Sequence, residues 1–308
     1  MQANSMCIAC MIDKQEKQIR PFPDEHKKSD YMHRVLEILY RHGRSESSPW
    51  LAEKIGRLYE DFWGEAEDYT QIKHKYNQLL LAKEKELSAR IRETEDPVEE
   101  SIKYVCAANY IDFSAVEHVT EQTFEALLEK AASETVPQEE YQAFQQDLKK
   151  ARRMVYLTDN CGEIVLDKVL IRFLKESYPS LQITAIVRGD DVINDATMED
   201  AREVGLTDLV PCVGNDNGAP GTVLKRFGRQ TRRLLLDADV VISKGQGNFE
   251  GLFGEGVNPY YLFLCKCELF VRRFGLEQYQ SVFVKEERVK IKTGGADGKG
   301  ELEKKEKV

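Results

Sequence analysis

Four short strings in the second half of the chain gather the residue types that handle phosphate. They are Thr158-Asp159-Asn160-Cys161-Gly162-Glu163; Arg188-Gly189-Asp190-Asp191 running on to Asn194-Asp195-Ala196-Thr197; GNDNGAPGT at 214–222; and Ser243-Lys244-Gly245-Gln246-Gly247-Asn248-Phe249-Glu250. Asp159, Asn160 and Asp195 offer hard oxygen donors, the kind Mg²⁺ or Mn²⁺ takes, usually with water and a substrate phosphate completing the coordination. Lys244, Arg188 and the backbone N–H groups of the glycine loops offer positive charge and donors to an anion. A metal beside an anion cradle points to phosphoryl chemistry, in which both stabilise charge on the transferring oxygens. A single Asp or Asn at a helix start is more often a cap than a ligand, and it is their joint position at adjacent strand ends that favours ligation.

Other chemistries lose their evidence. The fourth string matches neither the G-x-x-x-x-G-K-[ST] phosphate loop nor the G-x-G-x-x-G dinucleotide loop. All five histidines, His26, His33, His42, His74 and His118, lie in the first half with no H-E-x-x-H or H-x-H spacing, and no G-x-S-x-G occurs. A His-based zinc hydrolase or a Ser-His-Asp triad is disfavoured.

The elements that must position these strings are legible as a change of grammar near Lys149. Before it, apolar residues recur at helical spacing, as in Met32, Val35, Leu36 and Leu39 and again in Leu51, Ile55, Leu58 and Phe62. Ser48-Pro49 and Asp96-Pro97 place prolines in first helical turns, Gly43 and Gly64 stand where helices should stop, and the longest helix is expected from about Tyr69 to Thr94 with a solvated, charge-rich surface. After Lys149, short β-rich runs at 154–158, 182–187, 208–212, 239–243 and 281–285 alternate with amphipathic stretches. These include VLKRFGRQTRRLLL and PYYLFLCKCELFVRRFG, both read as crossover helices. Such alternation indicates βαβ units and a mostly parallel sheet. The expectation is an α/β protein: a helical N-terminal region over residues 1–150, a three-layer α/β/α metal- and phosphate-binding domain over 151–292, and a disordered Gly- and charge-rich tail over 293–308.

Composition bounds the class. The 308 residues leave room for about two domains at ~150 residues each. Hydrophobic residues at 42% and charged residues at 31% fit a folded chain. Lys and Arg number 44 against 53 Asp and Glu, a formal charge of -9, which argues against nucleic acid as a partner while leaving room for small anions. No run of about 18 apolar residues and no completed signal h-region occurs, so the reading is no membrane span and a cytoplasmic location. Seven scattered cysteines fit free thiols in a reducing compartment.

The strings TDNCGE, RGDDVINDAT and SKGQGNFE, in that order and at strand ends, resemble the damage-control phosphatase family once called domain of unknown function 89. AANYIDFS at 107–114 is similar to that family's Gly-Asn-x-x-Asp segment. Ala108 stands where Gly is usual, and Cys161 where Ala is usual in Asp-Asn-Ala-Gly-Glu; both replacements are small. The resemblance runs to about Lys285. It implies a metal-dependent phosphatase acting on small phosphorylated metabolites, with Mg²⁺, Mn²⁺, Co²⁺ or Ni²⁺ held by Asp159, Asn160 and Asp195. It further implies that Lys244 binds the phosphate and that Arg188, Glu163, Asn194, Asn109 and Asp112 form the substrate-binding surround, the last two contributed by the helical half. The competing readings are an S-adenosylmethionine-dependent carboxyl methyltransferase and a non-enzymatic phosphometabolite sensor.

Cys7-Ile-Ala-Cys10 resembles an arrangement in the family's shorter prokaryotic branch, and Cys265-Lys266-Cys267 supplies a second pair of thiols. The four would suit a structural Zn²⁺ if the N-terminus folded back onto the second domain. Free thiols are the favoured reading, since C-x-C inside an apolar helix usually means small core residues.

Overall fold

A computed structural model of the chain describes residues 1–64, 68–110, 126, 129 and 133–291. The 293–308 tail, and Asp112 with the end of its motif, lie outside the described residues. Among the described residues, α1 (Ser5–Ile19), α2 (Glu25–His42), α3 (Ser48–Trp63), α4 (Thr70–Arg92), α5 (Pro97–Ala108) and α6 (Gln138–Lys150) precede the first strand. Their ends follow local rules. The Asp96 carboxylate accepts from the Val98 and Glu99 N–H groups while Pro97, which needs no donor, opens α5, and Gly43 and Gly64 follow α2 and α3. Val35 and Leu39 are buried as their spacing predicts, whereas Leu36 is 46% exposed on the outer side of α2.

The rest alternates: β1 (Arg153–Leu157), α7 (Glu163–Ser177), β2 (Gln182–Val187), α8 (Met198–Glu203), α9 (Leu206–Leu209), β3 (Cys212–Gly214), α10 (Arg229–Leu236), β4 (Val240–Lys244), α11 (Gly245–Leu252), β5 (Tyr260–Leu264), α12 (Glu268–Phe274) and β6 (Ser281–Lys285). The sheet order is β3-β2-β1-β4-β5-β6, parallel except for β6 against β5. Met154 of β1 stands opposite Ile183 of β2 and Val240 of β4. Connections leave β1 in both directions, so the loops after β1 and β4 diverge at the switch point where open α/β sheets bind ligands.

Strand periodicity sorts the core into two layers. Met154, Tyr156, Val240, Ile242, Tyr260 and Leu262 face one side, packed with Tyr76 and Leu80 of α4, Ile102 and Val105 of α5, Phe144 of α6 and Leu170 of α7. Val155, Leu157, Val241, Tyr261 and Phe263 face the other, with Leu235, Phe249 and Phe270 from α10, α11 and α12. A third cluster joins α1, α2 and α3, through Ile19, Tyr31, Val35, Leu51 and Ile55, to Ala219 and Val223 of the loop after β3.

Three sequence expectations are corrected. PYYLFLCKCELFVRRFG is not one helix: Tyr260–Leu264 is a strand buried on both faces, and the helix starts only at Glu268. A continuous apolar run carries no period to separate the two states. The run at 208–212 is not a strand: Asp208 and Leu209 close the short helix α9, and β3 begins only at Cys212, after Pro211, whose carbonyl accepts from the Ala185 N–H. VLKRFGRQTRRLLL breaks at Gly228 into a 3₁₀ turn, Leu224–Arg226, and α10. Among the described residues no helix is long and apolar enough to cross a membrane.

Candidate active site

The site is assembled from the carboxyl ends of β1, β2, β4 and β5. Two residues beyond β1, Asp159 and Asn160 are pinned to the next loop: the Ala196 N–H donates to the Asp159 carbonyl at 2.7 Å, the Cys161 N–H to the Asn194 carbonyl at 2.8 Å, and Asn160 and Asp195 form an isolated antiparallel bridge. Gly162 then turns the chain into α7 with φ +70°, its Cα facing the Tyr76 Cβ closely enough that a side chain there would crowd α4. The Asn194 amide donates to Asn160 Oδ1 at 3.0 Å, so the loops after β1 and β2 are stitched by side chains as well.

Arg188, 3% exposed, lies between the two aspartates. Its Nε donates to Asp195 Oδ2 at 2.5 Å, its Nη2 reaches Asp159 Oδ1 at 3.4 Å, and its Nη1 donates to Asn248 Oδ1 at 3.0 Å. Asn109, at the end of α5, donates to Asp159 Oδ2 at 2.9 Å and to Glu163 Oε2 at 3.0 Å, and its own Oδ1 accepts from the Leu264 N–H. The Asn160 amide also donates to Asp159 and Glu163. Asp159, Asn160, Asp195, Arg188, Glu163, Asn194 and Asn109 therefore converge, three of the seven carried by the first βα unit, three by the loop after β2 and one by the helical half.

Burial and the neighbouring Glu163 and Asp195 carboxylates push the Asp159 carboxyl up to about 8, with Arg188 and Lys266 opposing the rise.

Lys244 stands elsewhere than its motif suggests. It is the last residue of β4 rather than a loop residue, and period two turns it to the same face as Val240 and Ile242, beneath α7. There it is fully buried, ion-paired to Glu163 and, at 2.9 Å, to Asp167, which stand four residues apart on one side of α7. Burial alone would lower its ammonium, but Asp167 and Glu163 hold it above its ordinary value. Tyr156 donates to Asp167 at 2.6 Å, and burial pushes that carboxyl up to about 6 against the pull of Lys244. In the structure the Lys244 ammonium is paired with the two carboxylates beneath Asp159.

A family model described as the damage-control phosphatase ARMT1-like domain matches residues 3–282. The chain belongs to this family. A damage-control phosphatase of Archaeoglobus fulgidus is 27% identical over 284 residues, spanning 90% of this chain and 96% of its own. One from Pyrococcus horikoshii is 30% identical over 175 residues, 56% of this chain and 59% of its own. A crystal structure of a DUF89-family protein from Pyrococcus horikoshii shares the fold, with a TM-score of 0.78 over 93% of this chain and 99% of that one at 23% identity.

For a member of the damage-control phosphatase family, the question of a divalent cation turns on the donor set. Asp159 and Asp195 supply carboxylates and Asn160 a carboxamide, all oxygen donors brought together where the loops after β1 and β2 are bridged, and such a set fits a hard divalent ion. The cysteines fit a metal less well. The N-terminus does fold back, with Met1, Met6 and Cys7 packed on the same core as Cys267. Yet Cys10 is exposed on α1 and Cys265 is buried in the core, and among the described residues no three His, Cys, Asp or Glu side chains converge as a metal cage. Cys265 and Cys267 lie between the end of β5 and the start of α12 rather than inside a helix.

Four residues of the site escaped sequence reasoning. Asn248 orients Arg188, and its amide donates to the Thr158 and Lys244 carbonyls at 3.0 and 2.6 Å; it belongs to SKGQGNFE, so the string held the signal. It is held there by its neighbour Phe249, whose ring centre lies 4.4 Å from Tyr261 and 5.2 Å from Phe270, and burial of such a side chain contributes about 1.5–3 kcal/mol. Asp167 was visible only as a carboxylate one turn after Glu163. Lys73 and Asn77 lie on the surface of α4 read as solvated. Both are buried: Lys73 pairs with Asp191 at 3.0 Å and Asp200 at 2.8 Å, and Asn77 accepts from the Gly162 N–H at 2.7 Å.

Proposed function

We propose that the chain is a divalent-metal-dependent phosphatase that hydrolyses small phosphorylated metabolites, with its centre at Asp159, Asn160 and Asp195. The observation that carries the reading is the meeting of those three oxygen donors at the sheet's switch point, with Arg188 between the two aspartates. The relatives' names, damage-control phosphatases of two archaea, support the same reaction class.

Asp159, Asn160 and Asp195 would hold the cation, which when bound supplies Lewis acidity and charge neutralisation at the phosphoryl group. The remaining work falls to this chain's side chains. Arg188, oriented by Asn248, keeps the two aspartates aligned and contributes positive charge beside the transferring oxygens. Asn109 and Asn160 each donate to Asp159 and Glu163, fixing both carboxylates at the floor. Lys244 acts through Glu163, pairing with it and with Asp167 from below. Asn194 locks Asn160 in place, and Asp112, from the family segment that contains Asn109, joins the substrate-binding surround.

The test is phosphate release from an aryl phosphate and a panel of sugar phosphates, after chelation and again with Mg²⁺, Mn²⁺, Co²⁺ or Ni²⁺ restored. Metal-restored turnover should fall at least about a thousandfold in Asp159→Asn and Asp195→Asn while folding is retained. Undiminished turnover in either variant, or none with any metal in the wild type, would remove the reading.

A further inference from the structure

Asp159, Asn160 and Asp195 reach one point from two loops, and the bonds between those loops run through the three residues themselves and their immediate neighbours. A centre built in this way is only as rigid as whatever holds the two loops from outside. The helical half supplies that hold through α4, where Lys73 and Asn77, one turn apart, are both buried.

Asn77 uses both ends of its carboxamide. Its Oδ1 accepts from the Gly162 N–H at 2.7 Å, where the loop after β1 turns into α7, and its Nδ2 donates to Asp200 Oδ1 at 2.9 Å. The other oxygen of Asp200 accepts from the Thr197 N–H at 2.8 Å and hydroxyl at 2.9 Å, two residues past Asp195. Lys73 takes the same loop on both sides of Asp195. Its ammonium pairs with Asp200 at 2.8 Å and with Asp191, four residues before Asp195, at 3.0 Å. Between Asp191 and Asp195, Ile193 has φ +48°, in the left-handed region that a β-branched residue avoids and keeps only where its surroundings impose it. The Lys73–Asp191 pair on one side and the bond from Asn194 to Asn160 on the other are the restraints that flank it.

We propose that Lys73 and Asn77 are positioning residues for the divalent cation: from α4 they fix the separation of the loops after β1 and β2, and the Lys73–Asp191 pair holds Asp195 in place against the strain at Ile193. The proposal rests on the reading of Asp159, Asn160 and Asp195 as the cation's ligands and names what sets their geometry. Both residues act through the backbone they hold, so their loss is read as weaker metal binding rather than as lost chemistry once the site is filled.

The experiment measures Mg²⁺ and Mn²⁺ binding to the full chain by calorimetry without substrate, beside aryl phosphate hydrolysis at limiting and saturating metal and Tm in chelator. The proteins are the wild type, Asp191→Ala, Lys73→Met, Lys73→Arg, Asn77→Ala and Lys168→Met. The Asp191 side chain is 73% exposed, so its replacement severs the tether without stranding a buried charge, and it decides the matter if Lys73→Met does not fold. Lys168→Met is the control: its ammonium, as buried as that of Lys73, joins α7 to Glu84, about three turns further along α4, at 2.7 Å. Asp191→Ala is expected to weaken metal binding about three- to tenfold, and Lys73→Met and Asn77→Ala about ten- to a hundredfold, with kcat at saturating metal within about threefold of wild type. Lys73→Arg should recover most of the loss, and Lys168→Met should lower Tm while binding metal like the wild type. Unchanged metal affinity in Asp191→Ala overturns the tether, and a loss in Lys168→Met equal to that in Lys73→Met overturns the positioning role. A wild type that binds neither cation overturns this proposal together with the metal centre. A wild type that binds metal, and loses affinity in the α4 variants, yet releases no phosphate from any ester sinks the phosphatase reading and leaves the positioning role standing.

Discussion

Replacing Lys244 by Met separates two uses of a buried charge. In the folded protein its ammonium serves Glu163 and Asp167, all three with no side-chain exposure, so the variant leaves two carboxylates enclosed without their cation. Breaking a buried pair by removing one partner costs about 3–5 kcal/mol. At about 2 cal/mol/K of unfolding entropy per residue, a chain of 308 residues should then lose roughly 5–8 °C in Tm. The penalty is set by the ionised carboxylates and therefore depends on pH. Asp167 already titrates at about 6 beside Lys244 and must titrate higher without it. The folded variant thus binds more protons than its unfolded chain between that raised value and the ordinary carboxyl range, so its stability deficit is largest at pH 8 and shrinks as pH falls toward 5. Adding Asp167→Asn should return part of the loss by removing one of the two stranded charges. Urea unfolding of the wild type and both variants at pH 5 and pH 8 reads all of this. A Lys244→Met protein within about 1 kcal/mol of wild type at pH 8, with KM raised instead, would refute the argument and return Lys244 to the phosphate.

Two further outcomes follow from the site geometry. Because the Asp159 carboxyl is pushed up to about 8, a divalent cation binding below that pH displaces a proton. Apparent Mg²⁺ or Mn²⁺ affinity should therefore climb from pH 6 to 8 and level above, with proton release seen by calorimetry in buffers of different ionisation enthalpy; binding at pH 6.5 without release would contradict it. Gly245 has φ +77° and packs so closely on Asp159 that an added methyl group would overlap its carboxylate. Gly245→Ala should cost about 1–2 kcal/mol in backbone strain and most of the activity, checked by Tm and turnover, and a variant with wild-type values in both would show that the loop yields freely.

The damage-control phosphatase family and the strings that build the candidate site were legible in the sequence because these motifs are short and local. TDNCGE and RGDDVINDAT carry Asp159, Asn160 and Asp195 on loops whose flanking strands announce themselves by β-rich runs, and the structure brings those loops together. Asn109 was legible only through the resemblance of AANYIDFS, since nothing in the pattern of a buried helix end says which strand it will meet. The second-half helices and strands blurred where period fails: YYLFL is apolar on every position because both faces of β5 are covered.

What the sequence by itself determined, then, was the donor inventory and the alternation that places it at strand ends, properties of local residue type and spacing. Tertiary structure alone decided how charge is apportioned. Whether β4 ends at Ser243 or Lys244 turns one lysine from a loop cation into a buried counterion, because one more residue of strand fixes the face it points to. Which residues of a charged helix are buried, as Lys73 and Asn77 are, depends on what packs against it. Lys73 and Asp191 meet only because α4 and the loop after β2 lie side by side, a neighbourhood that spacing along the chain does not encode.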